Sequence, residues 1–347
     1  MPLAPHARTS RPGPHVVLPP GAVAVGWGPV TTPTPEPARP VVGRLPQQAA
    51  TAGRPAPLGR TLTAMVTPFT PEGALDLDAA AALAKHLVDL GNDGLVVNGT
   101  TGESPTTSDE EKAGLVRAVV EAVGERAVVV AGVGTNDTAH TVELAHQAQR
   151  AGAHALLVVT PYYNKPPQSG LLAHFRAVAD ATDLPVVLYD IPGRSGVPIA
   201  TQTMLRLAEH PRIVANKDAK GDLFAAAQVM AASDLAYYSG DDALNLPLLS
   251  VGAVGVVSVT GHVVADRHRD MIAAYDAGDV ARARALAYST VPATVEIMTR
   301  GQGAVMAKAA LQLMGVLTHR TTRLPLPEAT DEEVAVLSAG LQAAGLL

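Results

Sequence analysis

Lys217 lies in the stretch PRIVANKDAKGD, inside a run, IVANKDA, that otherwise has the character of a buried strand. Burying an ammonium costs several kcal/mol unless the group is paired or gives up its proton. The chain has six lysines. The other five have ordinary placements: Lys85, Lys112 and Lys308 fall on helical patterns, Lys165 precedes two prolines, and Lys220 follows the strand toward water. A lysine whose pKa is lowered by desolvation and neighbouring cations carries a neutral amine that attacks carbonyls and forms a Schiff base. The competing reading is structural, an ion pair with Asp190 or Asp218.

Schiff-base chemistry must also move protons on and off a carbinolamine. Tyr189, at the end of the apolar run PVVLYDIP, is the candidate acid/base, and the hydroxyls of Thr100 or Thr101 are candidates to connect it to water. The turn GTTGE offers backbone N–H groups and two hydroxyls to a carboxylate, and Arg194 offers a bidentate site for a second one. Each also has an ordinary reading: a strand aromatic, a tight turn, a surface salt bridge. Three of the seven tyrosines, Tyr162, Tyr163 and Tyr189, nonetheless fall at the ends of apolar runs.

Eight such runs must position these residues: 61–69, 94–101, 127–134, 155–161, 185–192, 213–219, 235–242 and 254–260. Several are apolar on both faces, as in Val128–Val130 and Leu156–Val159, which fits strands covered on both sides. Helical segments alternate with them. Asp76 to Leu90 carries a periodic apolar face closed by Gly91, Ser108 is an N-cap followed by Asp109, Glu110 and Glu111, and Asp137 opens a third segment that ends at Gly152. Eight strand-plus-helix units at roughly 30 residues each predict a (β/α)8 TIM barrel, in which chemistry sits at the C-terminal strand ends. The rival, an open doubly wound sheet, requires a Gly-rich phosphate turn, and AGVGTND lacks the third glycine. Beyond Gly261 four more helical segments supply the eighth barrel helix and a helical C-terminal extension. The expected domains are a tail over 1–57, the barrel over 58–280 and the extension over 281–347.

Composition narrows the classes. A net charge of −6 gives no surplus for nucleic acid. The absence of cysteine excludes disulfides, thiolate catalysis and Cys-based zinc sites, and suits a cytoplasmic protein. No apolar run reaches the roughly 18–20 residues that span a membrane. Residues 1–57 hold 14 of the 28 prolines and five arginines against one acid, Glu36, which predicts a disordered Pro-rich tail.

The segments GTTGESPT, TPYYNKPPQ, YDIPGRSG, NKDAKGD and YSGDD, in this order, resemble the 4-hydroxy-tetrahydrodipicolinate synthases (dihydrodipicolinate synthases). The similarity runs from about Thr61 to at least Thr260. It implies a lyase that condenses pyruvate with L-aspartate 4-semialdehyde, the first step committed to lysine and diaminopimelate. No metal and no organic cofactor would be needed. It implies that Lys217 forms the imine, that Tyr189 is the acid/base, and that Thr101 and a Tyr163 from a neighbouring subunit complete a proton relay. Thr100, Thr101, Gly240 and Val257 would border pyruvate, with Arg194 on the second carboxylate, in a homotetramer built as a dimer of dimers. Lysine-inhibited relatives carry histidines and a glutamate where this chain has Asp109, Lys112 and His140, with Ser104, Asn136 and Tyr162 retained, so strong lysine feedback is not expected. Other pyruvate-dependent lyases, such as N-acetylneuraminate lyase and the 2-keto-3-deoxy-sugar-acid aldolases, share the lysine and tyrosine. Arg194 favours a carboxylate-bearing acceptor over a sugar. A catalytically silent keto-acid-binding barrel would not require Lys217, Tyr189 and Thr101 together.

Overall fold

A computed structural model describes residues 55–347. All eight predicted strands form, each pairing in parallel with the next: β1 (Thr61–Ala64), β2 (Gly94–Val97), β3 (Val128–Gly132), β4 (Ala155–Val159), β5 (Val186–Asp190), β6 (Ile213–Asp218), β7 (Ala236–Ser239) and β8 (Gly255–Ser258). β8 pairs with β1, so the sheet closes into a barrel and the open-sheet alternative is removed.

Side chains alternate across the barrel wall. Leu62, Val96, Val130, Leu157, Val187, Ala215, Tyr238 and Val257 fill the interior. Leu95, Val129, Leu156, Val158 and Leu188 face outward, in one cluster with Leu83, Leu87, Leu115, Val119 and Phe175 of the surrounding helices. Burial on both faces is the reason the runs read as continuously apolar. Each ladder ends before the segment predicted for it does. Turn-forming residues end the pairing: Asn98 follows β2 at φ +57°, and Pro161, Pro192 and Gly240 follow β4, β5 and β7.

The expected caps are present. Asp76 accepts from Ala79 N–H, Ser108 and Glu111 form a reciprocal capping box, and Asp137 accepts from Ala139 N–H. Helix Gly261–Asp276 follows β8, and three further helices, Val280–Thr294, Gly303–Leu313 and Asp331–Ala343, complete the chain. Their residues Ala293, Leu311, Leu337 and Leu341 belong to the same apolar cluster as the outer barrel wall. The tail expected over 1–57 lies outside the described residues as far as position 54. Ala56 and Leu58 are buried in the inner cluster, where Leu58 N–H donates to the Tyr238 hydroxyl at 3.1 Å. Among the described residues no helix is long and apolar enough to cross a membrane.

Closure between β8 and β1 depends on Gly255. A Cβ there would stand 2.2 Å from Arg60 O, a backbone atom held in the ladder. Gly255→Ala is expected to lower stability by about 3 kcal/mol, read as a fall of about 5–10 °C in Tm. An unchanged Tm would mean that the seam tolerates separation.

Candidate active site

The register of β5 and β6 sets Tyr189 beside Lys217, and that of β6 and β7 sets Lys217 beside Tyr238. By alternation Lys217 shares the inner face with Ala215, as Tyr189 does with Val187. Both side chains therefore rise from the C-terminal end of the barrel interior. Lys217 is 4 % exposed, and its Nζ lies 4.4 Å from the centroid of the Tyr189 ring.

Neither carboxylate considered as a structural partner takes it. Asp190 Oδ1 accepts from Ile199 N–H at 3.1 Å, and Asp218 Oδ1 accepts from the N–H groups of Lys220 and Gly221 at 3.1 and 3.3 Å. Lys217 has no ion pair among the described residues. Its pKa falls from the usual 10.5 to about 8, chiefly through burial, with Asp242 opposing the shift and Arg194 adding to it. At about pH 7.5 roughly a quarter of such a group is neutral, against about one part in a thousand for an ordinary lysine. The same burial pushes the Tyr189 phenol up to about 12, moderated by Arg194 and reinforced by Asp241. The phenol thus holds its proton at neutral pH and is poised as a donor.

Room for the lysine comes from Gly240. A Cβ at that position would approach Lys217 Cε and Cγ to 2.8 Å. Behind it, Asp242 is buried and fully engaged. Its Oδ1 accepts from the Ser258 hydroxyl and Asn245 Nδ2, and its Oδ2 from Val259 and Thr260 N–H at 2.9 and 2.8 Å. This carboxylate anchors the end of β8, next to Val257, and supplies the fixed negative charge nearest in effect to the amine. Sequence reasoning quoted Asp242 within YSGDD without giving it a role. Two adjacent acids at a strand end were the only signal, and the choice between them depends on which one turns inward.

Part of the candidate set lines a cavity of about 540 Å³: Thr100, Tyr163, Tyr189 and Arg194, with Ser195 beside them. Lys217, Thr101, Gly240 and Val257 are outside that lining; Lys217 stands behind Tyr189. The turn after β2 is closed by Glu103 N–H donating to Thr100 O at 3.1 Å and held from the β1 side by Thr67 Oγ1 donating to Gly102 O at 2.6 Å. Arg194, on the short helix Pro192–Ser195, is exposed and makes no ion pair among the described residues, so the surface salt bridge weighed from the sequence is absent. Tyr163 is 87 % exposed at φ +73°, a backbone state a bulky residue rarely adopts. The same cavity reaches Ser104, Asp109, Lys112, Asn136, His140 and Tyr162. There His140 Nε2 meets Asp109 Oδ2 at 2.9 Å, and Lys112 Nζ donates to Thr107 O.

A buried primary amine whose proton is loosened, beside a protonated phenol, with a polar turn and a free guanidinium near by, can capture a keto acid as an imine. Residues 57–344 match the model of the dihydrodipicolinate synthetase family. The chain belongs to that family. It is 65 % identical over 298 residues to the 4-hydroxy-tetrahydrodipicolinate synthase of Kineococcus radiotolerans, covering 86 % of this chain and 97 % of the relative. It is 63 % identical to 4-hydroxy-tetrahydrodipicolinate synthase 2 of Streptomyces coelicolor, covering 86 % and 99 %. Among solved structures, dihydrodipicolinate synthase from Cyanidioschyzon merolae, crystallised with lysine bound, superposes with a TM-score of 0.81 at 42 % identity, covering 84 % of this chain and 99 % of that one. The Bacillus anthracis enzyme gives 0.80 at 43 %, covering 82 % and 98 %.

In this dihydrodipicolinate synthetase family member the Gly240 contact generates a test. Gly240→Ala pushes a methyl into the lysine stem, so capture of pyruvate on Lys217 is expected to slow by about a hundredfold, the scale of an ångström-sized misplacement. The comparison is borohydride trapping of variant and parent. Equal trapping would show that the stem has space to spare.

Proposed function

We propose that the protein condenses pyruvate with L-aspartate 4-semialdehyde to give 4-hydroxy-tetrahydrodipicolinate, as a lyase in lysine and diaminopimelate formation. The observation that carries this reading is the unpaired, buried amine of Lys217 against the Tyr189 ring, in a chain of this family.

The Lys217 amine attacks the C2 carbonyl of pyruvate, and Tyr189 delivers the proton with which water departs, leaving the iminium. The Tyr189 phenolate so formed takes a C3 proton, which restores the phenol and gives the enamine. Its carbon attacks the aldehyde carbon of the semialdehyde, and the new alkoxide takes a proton back from the phenol. The semialdehyde's own amino group then attacks the imine carbon; the bond from that carbon to Lys217 breaks as the ring C=N forms, one amino proton passing to the departing lysine nitrogen and the other to the Tyr189 phenolate. The lysine serves as the electron sink throughout. Backbone N–H groups of the Thr100–Thr101 turn hold the pyruvate carboxylate, with Gly240 and Val257 against the adduct.

Thr101 and Tyr163 of the partner subunit complete the relay from Tyr189 to water. The exposure and positive φ of Tyr163 support a role reaching out from its own subunit, within a homotetramer arranged as a dimer of dimers in the cytoplasm. Arg194 binds the carboxylate of the semialdehyde. Its free guanidinium supports this acceptor over the sugars used by related lyases. The Asp109–His140 pair and Lys112, in place of the histidines and glutamate of lysine-inhibited relatives, support weak feedback by lysine.

Reduction by borohydride in the presence of pyruvate is expected to leave one adduct, on the peptide that contains Lys217. An adduct on another lysine, or none, would refute the mechanism. Arg194→Ala should lose about a hundredfold in kcat/KM for the semialdehyde while pyruvate capture changes by less than about threefold. Equal losses in both would make the arginine structural.

A further inference from the structure

The GTTGE turn is fastened to a segment 205 residues further along the chain. Glu103, which closes the turn and sits at φ +54°, has a side chain with no exposure. Its Oε1 accepts from Lys308 Nζ, and its Oε2 accepts from Arg323 N–H at 2.9 Å. Lys308 makes two further contacts, donating to Thr321 O at 2.7 Å and lying 4.2 Å from the centroid of the Phe69 ring. The Arg323 guanidinium also lies over Phe69, at 4.3 Å, and grips Gly73 O, Thr106 O and both carboxylate oxygens of Glu111. Two elements of the C-terminal region therefore converge on the loop that carries Thr100 and Thr101.

Lys308 occupies helix Gly303–Leu313, where Ala304 to Leu311 are all buried. Burial lowers its pKa and the Glu103 carboxylate opposes that shift. Such a pair is poor at adding net stability, because two apolar groups of similar volume often serve as well, whereas one partner alone leaves a costly buried charge. Its best-attested use is to fix one arrangement among several. The arrangement fixed here is the turn, since Glu103 is both the acceptor for Lys308 and the residue whose N–H closes onto Thr100 O.

We infer that Glu103 and Lys308 are positioning residues: their ion pair, placed by the C-terminal helix, sets the Thr100–Thr101 turn and through it the affinity for the keto-acid carboxylate. The inference stands on the reading of this turn as the pyruvate site. Lys308→Met keeps much of the side chain's volume and its contact with Phe69 but removes the counter-ion of Glu103, leaving it only the Arg323 N–H. The variant is expected to raise KM for pyruvate about tenfold. KM for the semialdehyde, whose carboxylate belongs to Arg194, should move by less than about threefold. A purely structural pair would lower the active fraction and leave both KM values alone, and that result would overturn the inference. Where Lys308→Met fails to fold, the double variant E103Q/K308M removes both buried charges together and gives the same test: a raised pyruvate KM supports the role, and an unchanged one refutes it. Borohydride trapping on the parent protein is run alongside. Capture of pyruvate on Lys217 with unchanged KM values in the variants defeats the positioning role only. No capture by the parent defeats the underlying reading and this inference with it.

Discussion

A primary amine taken out of water without a counter-ion gives up its proton far more readily, and the mouth of the barrel is organised around that exchange at Lys217. The cost falls on the ammonium form alone, so the fold need only deny the amine a carboxylate at contact distance. Asp218, next to Lys217 in sequence, and Asp190, on the adjacent strand β5, are turned to backbone N–H groups instead. Asp242 is saturated by Ser258, Asn245 and the end of β8, and acts on Lys217 as a field with no hydrogen bond to it. A charge held in that way does not lock the amine as ammonium, yet it favours the iminium that replaces it once a keto acid has been captured.

The same dry environment moves the neighbouring phenol in the opposite sense, because burial penalises whichever form is charged. Lys217 is pulled toward neutrality and Tyr189 is kept protonated. One physical cause thus loosens the proton of the amine and tightens that of the phenol on adjacent strands, without separate devices for each. The steric side is equally economical: a missing side chain at Gly240 provides the channel in which the lysine stem lies. The Thr100–Thr101 turn, proposed above to hold the carboxylate, is the part held from farthest away, through Glu103 and Lys308.

The barrel was legible because parallel strands covered on both faces cannot hide their composition: Val128–Val130 and Leu156–Val159 announce themselves, and Asp76, Ser108 and Asp137 mark helix starts by their own capping chemistry. Lys217 was legible by contrast, as an amine inside such a run. Lys308 was not, although the clue lay in its neighbours. The sequence GAVMAKAALQL is apolar around the whole helix, which marks a buried helix, and a lysine there demands a partner. Identifying that partner as Glu103 requires a contact that no local pattern encodes. The positive φ of Tyr163 was likewise invisible, since the backbone of PYYNKPP is set by what surrounds it. Strand ends were overrun for a related reason: Val66 continues the apolar run in sequence after β1 has ended at Ala64.

The most direct measurement is the rate at which pyruvate is captured on Lys217 between about pH 6 and pH 10, quenched with borohydride and read from the adducted peptide. A buried amine with its proton loosened predicts a rate that rises with pH, is half-maximal near pH 8 and is level above it. A rate still climbing toward the usual lysine value of 10.5 would show an ordinary, solvated ammonium, and the account of the site would be wrong.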